Sequence, residues 1–266
     1  MHPEQPAWVL NRVLWGLNLS AIALVIWRLY YLGLNKIYRY FFASLALSLV
    51  RSAILFPFSL NTQTYFWLWA ITQPLVWLAY VLVVGELYIL VLRRYSGIYS
   101  LGRWFFFGAL ALSVMISGLT VLPTLSSAGS ATGKRFMLYC LAFVERGFET
   151  GLAVFLLLLL ALVAWFSVPL SRNLLIHCSV YAVYFIAQNV IVLYWHTGGI
   201  GNPTLAGSIL RLSIGTACYL CWVALLTRQG EDRTASLRLG RNLADEKRLL
   251  SQLESLNATL LRTARK

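Results

Sequence analysis

Charge is scarce in this chain. Of its 266 residues only 12% are Asp, Glu, Lys or Arg, and just 9 are acidic. A soluble domain carries about 25% charged residues, so a water-facing surface over the whole chain is excluded. Histidine is nearly absent, at 3 residues. Two of these, His2 and His196, take extramembrane or boundary positions, which excludes a bis-histidine dihaem site. Period-2 alternation is missing from the apolar runs, which excludes an even-stranded membrane barrel. The last apolar run has no lysine for a retinal Schiff base. HExxH, GxSxG, Walker A and a cyclase or kinase domain are also absent. No catalytic residue and no cofactor are therefore expected.

What the chain has is apolar length. Hydrophobic residues make up 59%, and a spanning helix needs about 20 of them in a row. Seven stretches qualify: 7–32, 40–60, 64–92, 102–123, 136–167, 173–196 and 205–227. The N-terminus lacks a basic segment and a small-residue cleavage site, so it reads as a retained span and not a signal peptide. The expected fold is all-α: a polytopic seven-transmembrane-helix bundle over 1–228, with a cytoplasmic amphipathic or coiled-coil helix over 229–266.

Orientation follows from loop cations. Lys36, Arg39, Arg93, Arg94, Arg103 and Arg172 fall on the side shared with the tail, and only Lys134 and Arg135 dissent. The reading is N-terminus outside and C-terminus in the cytoplasm, multi-pass in the inner (plasma) membrane. The net charge of +13 then belongs to cytoplasmic loops and a tail facing anionic lipid. No nucleic-acid module is present, so the lipid bilayer is the expected partner.

The tail carries leucines at heptad spacing, Leu239, Leu253 and Leu260. One seam adds Leu249 and Leu256. The other adds Leu243, Leu250 and Asn257, and both include Glu246. Gly230 and Gly240 interrupt the helix near its start. A short parallel coiled coil would make a homo-oligomer or recruit a partner protein. The competing reading is a basic amphipathic helix on the inner leaflet.

Intramembrane charges are costly and mark sites by default. Counting depth from the loops puts Arg12, Glu145, Arg146, Glu149 and Arg211 in the outer part. Glu145 and Glu149 are i,i+4 neighbours and share a helix face. They are candidates for a ligand or ion cluster with the arginines. The alternative is that the long fifth stretch protrudes and leaves them at the headgroups. Arg51, Glu86 and His177 form a second candidate cluster toward the inner side, either a polar pathway or a structural tie. The four cysteines, Cys140, Cys178, Cys218 and Cys221, all sit in apolar runs and read as buried free thiols. Adjacent His177 and Cys178 point about 100° apart on a helix, so no metal site is expected.

YFFASLALSLVRSAILF, LVVGELYILVLRRY and ERGFETGLAVFLLLLL resemble segments of an uncharacterised family of bacterial seven-helix membrane proteins. The resemblance lies in general pattern and implies a fold without an activity. The plan is also similar to the membrane sensor halves of bacterial signalling proteins, without their usual catalytic output domain. The expected function is a receptor-like or sensor-like module with an outer polar cavity, signalling through its tail. The alternatives are a channel or transporter with a polar path through the bundle, or a structural subunit of a membrane assembly.

Overall fold

The computed structural model describes residues 5–58, 62–92, 104, 106–108, 111–113, 115, 134–166, 170–197, 203–232, 234–235, 248, 251–255 and 258. They are mostly helical: α1 (Gln5–Tyr31), α2 (Arg39–Leu55), α3 (Gln63–Leu92), α4 (Lys134–Phe166), α5 (Arg172–Thr197), α6 (Pro203–Leu225) and one-turn α7 (Gln229–Asp232). A 3-10 turn at Leu34–Lys36 joins α1 to α2. Two short strands, β1 (Leu170–Ser171) and β2 (Thr234–Ala235), pair antiparallel.

Five segments are long and apolar enough to cross a membrane: Val9–Tyr31, Gln63–Leu92, Phe143–Trp165, Arg172–Ile191 and Ala206–Leu225. They correspond to the first, third, fifth, sixth and seventh expected stretches. The second expected stretch, 40–60, is shorter than expected: α2 has 17 residues, ~25 Å of helix. Most of the fourth, 102–123, lies outside the described residues.

Burial explains why these helices need lipid. On α1 Asn11, Trp15, Asn18, Ile22, Val25 and Leu29 are buried in alternating steps of four and three, with Ala21 buried beside them. That spacing is a packing stripe along one helix face. The opposite face carries Val9, Val13, Leu17, Leu24 and Trp27, all exposed. A helix apolar on both its buried and its exposed face suits a hydrocarbon solvent and not water. The same holds for α3, with Ile71, Leu75 and Leu78 exposed, and for α4, with Val154, Leu157 and Leu158 exposed.

The chain forms two compact units: residues 1–83 with 183–226, and residues 84–182 with 227–266. In the first unit, α1 packs along α6. Ser208 donates to Asn11 Oδ1 at 3.0 Å, Asn18 donates to Thr216 Oγ1 at 3.1 Å, and Arg28 donates to the Leu226 carbonyl at 2.9 and 3.2 Å. Both partners advance together along the chain, so the two helices run parallel.

α2 runs back along α1. The reversal turns on Gly33, whose φ of 70° is a left-handed value that glycine adopts without Cβ strain. Leu29, Leu34 and Tyr38 bury themselves under this corner. Beyond the far end of α2, Phe56 reaches Trp15 near the start of α1, ring centroids 5.7 Å apart. Tyr65, at the start of α3, meets the same Trp15 edge-on at 6.3 Å.

In the second unit the core runs along α4 through Leu152, Leu156, Leu159 and Val163. Phe155 stacks edge-on against Phe106 at 4.5 Å and tilts against Tyr88 at 5.6 Å. Ser171 caps α5, its hydroxyl accepting from the Leu174 N–H at 3.3 Å. That is the bond an N-cap serine makes to the third residue of a helix.

Candidate functional site: buried polar residues and the root of the tail

Glu145 and Glu149 are buried, at 8% and 4% exposure. Both continue the buried stripe of α4: positions 145, 149, 152, 156, 159 and 163 alternate steps of four and three. The two carboxylates therefore sit on the core face, away from the lipid-facing side that carries Leu157 and Leu158. Arg146, one residue on from Glu145, is half-buried. Ser113 donates to the Gly147 carbonyl between the two acids at 3.0 Å. Two buried carboxylates on one face carry a large desolvation cost unless charge or protons balance them. Such a face is a place where a cation, a proton or a ligand donor has energetic leverage.

Arg12 and Arg211, proposed to join those acids, belong to the first unit, and both are half-buried. Arg12 closes the end of α2. Its guanidinium donates to the Phe56 carbonyl, and to the Phe58 carbonyl at 3.0 Å. It also lies over the Trp15 and Phe56 rings, at 5.6 and 5.4 Å. The last carbonyls of a helix have no intrahelical donor, and an arginine there satisfies them and opposes the negative end of the dipole. This capping role was missed in the sequence, because nothing in NRVLW indicates which helix end will lie beside it.

Arg51, expected with Glu86 and His177, hydrogen-bonds to two α3 residues, both upstream of Glu86. Its Nε donates to Thr72 Oγ1 at 2.9 Å and a terminal nitrogen donates to Gln73 Oε1. Pro74 follows directly inside α3. It removes one rung of the backbone ladder, and the Thr72 hydroxyl lies 2.7 Å from the Leu68 carbonyl and 3.2 Å from that of Trp69. Glu86 and His177, both in the second unit, are buried at 8% and 0% exposure.

Further polar groups inside or at the edge of the packing lie in the first unit. The Tyr80 and Tyr184 hydroxyls are 3.0 Å apart. One turn beyond Tyr184, Gln188 is buried, and its Oε1 has no hydrogen-bond partner among the described residues.

One buried polar residue with several hydrogen bonds was passed over in the sequence reading. Asn173, at the start of α5, is fully buried. Its amide donates to the Thr227 carbonyl at 2.7 Å and to Glu231 Oε2 at 3.3 Å, and its Oδ1 accepts from the Thr227 N–H at 3.4 Å. Gly230 packs so closely that a Cβ there would lie 2.3 Å from Asn173 Oδ1. The Gly230 N–H in turn donates to Thr227 Oγ1 at 3.1 Å. Beyond α7, Thr234–Ala235 pairs with Leu170–Ser171. The first residues after α6 are thus held against the α4–α5 connection by one asparagine and a short strand pair.

Gly230 therefore has a packing role, where a simple interruption of the tail helix was expected. Of the tail leucines, Leu253 alone is described. It is 1% exposed within the single chain and lies on a helical segment, 251–255. Leu239, Leu249, Leu256 and Leu260 lie outside the described residues. Among the described residues no group of three or more His, Cys, Asp or Glu is placed to hold a metal ion. Cys178 and Cys218 are buried free thiols, Cys140 is half-buried, and Cys221 is exposed. No family model, curated protein or solved structure matches this chain.

Proposed function

We propose that the chain is a receptor-like or sensor-like membrane module. Its input is a buried polar cluster built on Glu145 and Glu149, with Arg146 beside them on the same helix. Its output is the tail. The observation that carries this reading is the burial of two carboxylates on the core stripe of a membrane helix. Ionisable residues are retained inside a bilayer at such cost mainly for function. The clamp of Asn173 on Thr227 and Glu231 supports the output half. A tail root rigidly held by the bundle follows any movement of the helices that hold it.

Seven crossings, with the N-terminus outside and the C-terminus inside, fit this reading. α1 and α6 run parallel, so an odd number of crossings lies between them. α3, α4 and α5 contain three of the long apolar segments. α2 returns from the Gly33 corner to the Arg12 end of α1, which makes it a fourth. The proposed fifth is the apolar stretch 102–123 of the sequence.

Hydrogen exchange at residues 227–235 tests the proposal. Glu149→Gln removes a charge from the input while keeping the side-chain shape. In a sensor it changes exchange at the tail root under conditions where the whole protein stays folded. Unchanged exchange at 227–235, alongside a changed melting temperature, would reduce the carboxylates to a structural ion network.

A further inference from the structure

We propose that the α1–α2 corner is a docking site for anionic phospholipid headgroups. The corner follows directly on the apolar segment Val9–Tyr31, so it stands where hydrocarbon gives way to headgroups. Four aromatic residues are exposed on it: Trp27, Tyr30, Tyr31 and Tyr40. Trp27 and Tyr31 stack on one another, centroids 5.9 Å apart and planes at 22°. Tyr31 is 78% exposed and Tyr30 71%. Rings that combine an apolar body with a polar tip favour the bilayer boundary over either bulk phase.

Two cations share the corner. Lys36 and Arg39 are both exposed. Arg39 Nε donates to the Lys36 carbonyl at 3.1 Å, which holds the guanidinium beside the residue that bears the ammonium. The segment 27–40 contains no Asp or Glu. Arg28, by contrast, bonds the Leu226 carbonyl and takes no part. The corner itself is fixed by Gly33 and by buried Leu29, Leu34 and Tyr38, so the cations are presented on a stiff turn.

Paired cations select a phosphate-bearing anion. The surrounding exposed aromatics select one that comes with acyl chains and not a free anion from water. The occupant is a phospholipid with net negative charge, such as phosphatidylglycerol. Each cation near a membrane surface contributes about a fivefold preference for anionic lipid, and added salt weakens it.

The test uses the full chain in nanodiscs of phosphatidylcholine and phosphatidylglycerol in equal parts. Lipids retained after mild detergent extraction are counted by mass spectrometry. The wild type is expected to retain phosphatidylglycerol preferentially. In Lys36→Gln/Arg39→Gln that preference should fall by about fivefold for each cation removed. The charge-keeping variant Lys36→Arg/Arg39→Lys should preserve it. Arg228→Gln, which removes an exposed cation outside the corner, should lower it by less than the loss of either corner cation. Three results would each overturn the proposal: an undiminished preference in the neutralised variant, loss in the charge-keeping one, or an equal loss in Arg228→Gln.

Discussion

The side-chain amide of Asn173 donates to the carbonyl oxygen of Thr227 at 2.7 Å. This bond ties Thr227, two residues beyond the end of α6, to the start of α5, and it does so where no solvent reaches Asn173. Every polar atom of that side chain is engaged, and the tail begins from this point.

Gly230→Ala should destabilise the protein by roughly 1–3 kcal/mol, as overpacking does, because its Cβ would fall 2.3 Å from Asn173 Oδ1. Asn173→Ala should cost roughly 1–3 kcal/mol through unsatisfied backbone groups at Thr227. The double variant should be less damaged than the sum, since the alanine removes the atom that Gly230→Ala strikes. Thermal unfolding of the set in detergent checks this. Additive losses would mean that the two positions act independently.

Glu145→Gln and Glu149→Gln probe the proposed input cluster. Like charges four residues apart on one helix face destabilise each other, so neutralising one should change the effect of neutralising the other. Thermal unfolding of both single variants and the double variant in detergent reads the coupling. Strictly additive effects would mean that Glu145 and Glu149 act independently.

Arg12→Ala should loosen the end of α2 by roughly 1.5–3 kcal/mol, the range for hydrogen bonds to a charged group. Arg12→Lys should recover only part of this, because an ammonium lacks the planar fork that serves two carbonyls at once. Hydrogen exchange at residues 50–58 reads the effect locally. Full recovery by lysine would show that charge alone suffices there.

Reporter fusions test the crossings. Fusions at residues 62, 128 and 200 should all read outside, and a fusion at 266 should read inside. An inside reading at 200 would break the parallel arrangement of α1 and α6 as membrane spans.

Leu253→Asp distinguishes two roles for the tail. Leu253 is buried within one chain, so the charge should lower the melting temperature of the protein itself. A weakened dimer with an unchanged melting temperature would instead assign Leu253 to a seam between copies.

Much of the fold was legible before any tertiary contact was known. The long apolar runs required helices in lipid, and five of them are helices of spanning length. The step of four from Glu145 to Glu149, continued by Leu152 and Leu156, already placed both acids on one face of one helix. That information is local, because helical periodicity depends only on residues a few positions apart. Which face is buried was a different matter. In water an apolar stripe reveals the core, but in hydrocarbon Leu157 on the outside is as comfortable as Leu156 on the inside. Hydrophobicity therefore could not choose neighbours. The tertiary structure decided that Arg12 closes α2 and that Arg51 bonds at the Pro74 break. It also decided that α1 runs parallel to α6 and that Asn173 holds the tail. Each of these depends on which polar group a distant helix brings within about 3 Å, a relation that no spacing along the chain encodes.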